Sequence, residues 1–489
     1  MKEYKKLEEY NSRLSSISDA LSILYWDSAT MMPIKSGEFR NKQIEELSKF
    51  YHELTTCKQY EELIVNAENK LNELNDWQKA NVRETRKLYD ISTCIDNELA
   101  GKMVKAGCEC DLVWREAKPK GDFKAVKPYL EEIVNLTKEI ASIKAEKFKV
   151  TKYEALLISY DYGRKEEEIN KLFSNLKQFL PSFTDEIIEK QKRENNNYSK
   201  IKLSKEHQKQ INLEIMKDLG FNIENGRVDE SIHPFCGGTY GDIRITTNYD
   251  ENDCLKSIMA TVHETGHAIY EQNRPYEYYN QPVGNSLGMS IHESQSLFYE
   301  MQIGTNKDFL SYLSKKIKSI ANVDVSEKDL WNNSNKVEKS FIRIYADEVT
   351  YPLHVILRYE LEQEILRGDV QVKDLPEAWN AKMKQYLNIT PPSDDLGCLQ
   401  DMHWYGGHFG YFPCYSLGAM IAAQWFDAAK PHIDTNQFRN GNFSSAKIWL
   451  NNNVHKYGSF YSASGLIEKV TGKNLDPEIY INYLKNKFK

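Results

Sequence analysis

The chain has 489 residues, 40% hydrophobic and 28% charged, with a formal net charge of −7, the balance of an ordinary globular protein long enough to bury a large core. The charges are spread without a basic face, which argues against a nucleic-acid partner. No run approaches the eighteen or so apolar residues of a membrane-spanning helix, and the first twenty residues lack an apolar secretory stretch, so a cytoplasmic protein away from membranes is expected.

From Tyr4 to about Lys217, charged and apolar residues alternate in helical turns. Segments such as Tyr60 to Leu74 and Val126 to Phe148 set Lys and Glu against Leu, Ile and Val, as packed amphipathic helices do. This stretch reads as scaffold, with Asn195-Asn196-Asn197 marking a surface loop. The eight cysteines are scattered without a Cys-x-x-Cys pair, which argues against a disulfide framework and a thiolate metal site.

The texture changes at His233 to Tyr249. Gly237-Gly238-Thr239-Tyr240-Gly241 breaks the helical pattern, and Ile243, Ile245 and Thr247 then alternate with Arg244, Thr246 and Asn248 as a half-buried strand does. An exposed edge on that strand could hold an extended peptide.

A helix follows at once. Leu255, Ile258, Met259, Val262, Gly266 and Ile269 recur at three-to-four-residue spacing, and Asp253 stands at the N-cap position. Within it His263-Glu264-Thr265-Gly266-His267 places two imidazoles one turn apart on one face with a carboxylate beside the first, the signature of a zinc hydrolase. Such a site needs a third protein ligand and an open position for water. Glu271 lies about 6 Å further along the axis, too far to close a tetrahedron. Turns at Asn273-Arg274-Pro275 and Pro282-Val283-Gly284 then lead to a second helix, Leu287 to Ile303, returning antiparallel. On it Glu293 is the chosen third ligand, with His292 its competitor.

Six separated motifs now stand in order: His233-Pro234-Phe235, Asp242 to Thr246, His263 to His267, His292-Glu293-Ser294-Gln295, Ile342 to Asp347, and Gly397 to Trp404. With Trp26-Asp27 and Met32-Pro33, they make the chain resemble the carboxypeptidase Taq family of metallocarboxypeptidases along nearly its whole length. The resemblance implies a mainly α fold over residues 1–489. By the same resemblance it would be a single domain of two helical lobes around a deep groove with a small β-sheet beside the metal helix, as in neurolysin-like and angiotensin-converting-enzyme-like proteins. Residues 1–217 would form the scaffold lobe, 230–415 the motif-bearing region and 416–489 the C-terminal helices. It also implies release of single residues from peptide C-termini, broad side-chain tolerance and a homodimer. Ile158 to Gly163 departs from the pattern, lacking an expected Glu-Pro-Gly stretch.

The expected chemistry uses one divalent ion per chain, zinc with cobalt as the alternative, held by His263, His267 and Glu293, with Glu264 as general base and then acid. Tyr415 and His408 are candidates to stabilise the tetrahedral oxygen; with Tyr411 they lie in Gly407 to Tyr415, which resembles the Gly/Tyr-rich loop of neurolysin-like peptidases. An exopeptidase must also bind a free α-carboxylate, for which a guanidinium offers two parallel hydrogen bonds. Arg343 is the leading candidate, on an expected helix with Asp347 one turn on to orient it or to hold a ligand histidine. Arg244 is the alternative clamp, and His233 and His403 are further substrate-site candidates. The rival readings are an endo-acting or dipeptide-releasing oligopeptidase and a catalytically silent peptide-binding protein.

Overall fold

A computed structural model describes residues 2–194, 196 and 198–489, so Asn195 and Asn197 of the expected surface loop lie outside the described residues. Helices dominate the N-terminal half: α1 (Lys2–Thr30), α2 (Gly37–Thr56), α3 (Lys58–Glu68), α4 (Asp76–Ser92), α5 (Asn97–Ala117), α6 (Phe123–Phe148), α7 (Lys152–Leu157), α8 (Glu166–Arg193) and α9 (Lys205–Leu219). Local chemistry sets their ends. Asn75 and Gln78 form a reciprocal capping box at the start of α4, and Asp122 accepts from the Ala125 N–H to open α6, each satisfying donors the first turn leaves free. The apolar stripe read from Val126 onward buries Val126, Leu130, Ile133, Val134, Ile140 and Ala141. The expected helix from Tyr60 to Leu74 stops at Glu68, where Asn69 and Lys70 turn the chain into a short 3-10 segment.

The sheet has order β1-β3-β2, with β1 (Gly226–Glu230) parallel and β2 (Cys236–Thr239) antiparallel to β3 (Asp242–Thr247). Gly241, at φ +86°, closes the hairpin between β2 and β3 in a conformation other residues resist. The Arg244 strand is therefore the central one and has no free edge, contrary to the sequence reading; the edges belong to β1 and β2. β1 escaped notice because Gly-Arg-Val-Asp-Glu carries no apolar alternation. Ile243, Ile245 and Thr247 are buried as expected, but so is Thr246, whose hydroxyl accepts from the Phe235 N–H at 3.0 Å and from Ser231 Oγ at 2.7 Å.

After the sheet come α10 (Cys254–Gln272), α11 (Met289–Leu297) running into a π-helical segment (Phe298–Gly304), α12 (Lys307–Ala321), α13 (Glu327–Ser334), α14 (Tyr351–Arg367), α15 (Leu375–Leu387), α16 (Pro413–Ala429), α17 (Ser444–Asn453), α18 (Ala463–Thr471) and α19 (Pro477–Phe488). The core is in two parts. Tyr4, Leu7 and Leu14 of α1 pack with Tyr60 and Ile64 of α3 and Val82 of α4 in a small cluster, while α10, α11, α14 and α16 bury their apolar residues in a large one. Asp253 does precede α10, but its side chain makes no capping hydrogen bond.

Candidate metal centre

Gly266 brings the two ligand helices together. A Cβ at this position would lie 2.5 Å from the Gln295 carbonyl oxygen and 2.7 Å from Ser296 Cα, so only glycine lets α10 and α11 cross this closely. The crossing sets Glu293 opposite the two histidines: its Oε2 is 3.4 Å from His267 Nε2 and 3.9 Å from His263 Nε2. On its other side Gly418 of α16 leaves room for the Glu293 side chain, whose Cγ a Cβ would meet at 2.7 Å. Among the described residues these three form the one group of His, Cys, Asp or Glu with ligand atoms all within 4.8 Å of one another.

The donor set fits a divalent cation. Atoms about 2.1 Å from a tetrahedral centre stand about 3.4 Å apart, close to the spacings found. His263 Nδ1 is held by Glu300 Oε2 at 2.7 Å, so its Nε2 is left to face the gap, the arrangement that orients a ligand imidazole. Burial opposes charge on His263, yet Glu300, Glu293 and Glu264 together pull it up to about 10; burial and the neighbouring His292 push His267 down to about 4. Burial also pushes Glu264 up to about 7, against the pull of His263. Three carboxylates, Glu264, Glu293 and Glu300, thus converge on the two imidazoles, an excess of negative charge that a divalent ion would offset.

The remaining sequence candidates divide. His292 lies outside the group of candidate ligands, its Nε2 bonding Glu271 Oε1 at 2.9 Å. Arg343 is not on a regular helix but on a 3-10 turn, Arg343–Tyr345, that ends extended at Ala346. There the Arg343–Asp347 spacing no longer places the two side chains on one face. Asp347 instead accepts from Val349 N–H (2.9 Å), Thr350 N–H (3.1 Å) and Thr350 Oγ1 (2.7 Å), fastening the entry to α14 rather than orienting Arg343 or a ligand histidine. Glu300, which sequence reasoning missed, holds His263. Arg343 is 5% exposed and donates from Nε and Nη2 to Asp401 Oδ1 (3.0 and 2.8 Å) and from Nη1 to Tyr351 Oη (2.7 Å). Asp401 also takes Arg358 Nε at 2.6 Å; burial would raise its pKa, but the two guanidiniums hold it far below the carboxylate range.

Tyr415 lies under the Arg343 guanidinium, 4.9 Å from ring centre to Cζ, and its hydroxyl is 3.2 Å from His403 Nε2. Tyr411 packs edge-on against it at 5.1 Å. Burial, with the Glu293 charge next, raises the pKa of Tyr411; burial raises that of Tyr415 against the pull of the Arg343 guanidinium, with Tyr351, Tyr411 and Glu293 adding to the rise. Buried Glu362 fixes their loop by accepting from Gly410 N–H, Trp404 Nε1 and Tyr153 Oη. His408 is exposed, with Nδ1 3.5 Å from Tyr160 Oη. His233 is exposed on the loop between β1 and β2, and Arg244 is paired with Asp242 and stacked over Trp26. The segment lacking Glu-Pro-Gly has its own task. Tyr160 O accepts Met289 N–H at 2.6 Å and Asp161 accepts from Ser290 Oγ at 2.5 Å and Arg164 Nε at 3.1 Å, pinning the start of α11.

The model of the family described as carboxypeptidase Taq (M32) metallopeptidase matches residues 6–488. Carboxypeptidase 1 of Bacillus subtilis is 36% identical over 99% of this chain and 97% of its own length. Thermostable carboxypeptidase 1 of Thermus thermophilus is 34% identical over 99% and 98%. Among solved structures, Trypanosoma cruzi metallocarboxypeptidase 1 superposes with a TM-score of 0.98 at 34% identity, covering 100% of both chains. The M32 carboxypeptidase of Deinococcus radiodurans superposes at 0.94 and 30% identity, covering 100% of this chain and 99% of its own. With a family model matching nearly its whole length and full-length relatives at 34–36% identity, the chain belongs to the carboxypeptidase Taq family of metallopeptidases.

Proposed function

We propose that this chain removes single residues from the free C-termini of peptides, using one divalent ion held by His263, His267 and Glu293. The convergence of those three side chains beside Glu264 is the observation that carries the reading. A bound ion, zinc or alternatively cobalt, supplies Lewis acidity that acidifies water and polarises a peptide carbonyl. Glu264, buried with its proton affinity raised, takes the proton of the attacking water and hands it to the leaving amine. Tyr415, Tyr411 and His408 are the donors available to the oxygen that gains charge as the carbonyl carbon becomes tetrahedral, with His403 fixing the Tyr415 hydroxyl.

Arg343 recognises the terminal carboxylate. A guanidinium has five N–H groups; Asp401 and Tyr351 use three of them, leaving one on each terminal nitrogen, the pair suited to a two-pronged carboxylate contact. Upstream, the substrate backbone pairs with β2 rather than β3. The Thr246 N–H bonds Phe235 O, and the ladder alternates from there, so Cys236 and Gly238 turn their own N–H and C=O toward the free side. Burial together with the charges of Glu264 and Glu271 raises the Cys236 thiol, consistent with β2 bordering the site. Arg244 and His233 then flank the upstream peptide. The family resemblance supports broad side-chain tolerance, a single two-lobed domain, a homodimer and a cytoplasmic location.

The test compares an unblocked peptide with its C-terminal amide by mass spectrometry, using metal-loaded protein. Stepwise loss of single residues from the free acid alone is expected; equal cleavage of both, internal cuts or released dipeptides would sink the proposal. Metal analysis of protein purified without added metal identifies the ion.

A further inference from the structure

The two ligand imidazoles are steadied differently. His263 has Glu300 on its Nδ1, whereas His267 Nδ1 is buried with no hydrogen-bond partner. Something other than a carboxylate must therefore fix the His267 ring plane, since a ligand ring free to swing loses the alignment of its lone pair.

The neighbour that packs on it is His292. The two rings stand with centroids 4.5 Å apart at an interplanar angle of 31°, while His263 meets His267 edge-on at 5.0 Å and 82°. His292 is itself held: Nε2 bonds Glu271 Oε1 at 2.9 Å, Glu271 Oε2 pairs with Arg274 Nε at 2.7 Å, and Arg274 Nη1 reaches the Gly284 carbonyl at 3.0 Å. Glu271 is four residues beyond His267 and His292 one before Glu293. The helices that supply the ligands thus also supply the brace, and the unit spans α10, α11 and the connection between them.

We propose that Arg274, Glu271 and His292 form a brace that positions His267 for metal binding through ring packing, in place of the carboxylate that positions His263. His292 is a positioning residue in this reading, and the flat ring carries its effect. The proposal rests on His263, His267 and Glu293 being the metal ligands. It separates from that reading because His263→Ala should abolish binding of the ion, while changes at the brace should weaken it.

The experiment measures zinc affinity by chelator competition, and the visible absorption of the cobalt-loaded protein, for wild type, His292→Ala, His292→Phe and Glu271→Gln. Loss of an outer-shell support typically costs about 10–100-fold in metal affinity. His292→Ala should fall in that range and shift the cobalt bands. His292→Phe, which keeps a ring, should recover most of the affinity and a near-native spectrum, and Glu271→Gln should lie between. Apo-protein melting temperatures separate a general loss of folding from a ligand effect. If His292→Ala does not fold, His292→Leu against His292→Phe makes the same comparison of ring with bulk. Unchanged affinity in His292→Ala, or His292→Phe as weak as the variant without a ring, overturns the brace. Should wild-type protein bind neither ion, or His263→Ala bind as wild type does, the ligand reading itself fails.

Discussion

Gly266 of α10 lies directly against the Gln295 carbonyl of α11, at a separation that leaves no room for a methyl group. The metal-site geometry depends on this contact, because α11 carries Glu293 two residues earlier and the ligand spacings follow from how closely the helices cross. Gly266→Ala should push them apart. We expect a stability loss of about 1–3 kcal/mol from overpacking together with reduced metal occupancy, read by denaturant unfolding of the apo protein and by metal stoichiometry. Full occupancy and unchanged ligand affinity would show that α11 adjusts without moving Glu293.

Much of this contact was legible beforehand. The spacing of Ile258, Val262 and Ile269 marks one face of a helix, and a glycine on that face is consistent with a close crossing. Glu293 was legible too, as a carboxylate within reach after two turns. Arg343 shows where such reading ends: its separation from Asp347 fits a helical turn, but the backbone leaves the helix at Ala346 and the partner is Asp401, 58 residues later. No local pattern encodes a contact at that distance. Glu300 was hidden for another reason, since the π-helical segment Phe298–Gly304 changes the phase of the helix, as such insertions often do at functional sites. The central position of β3 was likewise out of reach, because its parallel partner β1 lacks an apolar repeat.

Glu264 is buried beside the candidate ligand cluster, and in the proposed reaction it accepts the proton of the attacking water. Glu264→Gln keeps size and polarity but cannot accept a proton. It should lower kcat by about 10²–10⁴-fold while metal content and apo stability stay near wild type. Retained turnover would move the general-base role to another group.

For Arg343, the informative change is to lysine. An ammonium can still pair with Asp401 but cannot offer two parallel donors to a carboxylate, so Arg343→Lys should raise KM for free-acid peptides and erase the preference for acid over amide, with metal content unchanged. Arg343→Ala would also leave Asp401 facing Arg358 alone, and breaking a buried charge network in this way costs about 3–5 kcal/mol. Its activity must therefore be read beside its unfolding curve. An acid preference that survives Arg343→Lys would transfer the carboxylate contact elsewhere, with Arg244 the next residue to test.

Glu362 ties the loop of Tyr411 and Tyr415 to α14 and makes a pH signature of its own. Burial raises its carboxyl from the usual 4.5 to about 7, against the hydrogen bonds from Tyr153, Trp404 and Gly410. A raised acid binds its proton more tightly in the folded state. Its contribution to stability is therefore complete below about pH 4.5 and is lost as the pH rises through about 7. At roughly 1.4 kcal/mol per unit, the swing is about 3 kcal/mol. Glu362→Gln removes the titration, so the stability of the variant relative to wild type should improve by about that amount between about pH 4 and about pH 8. Urea unfolding across this range measures it, and parallel pH profiles for the two proteins would mean that Glu362 is ionised throughout and that its three donors outweigh its burial.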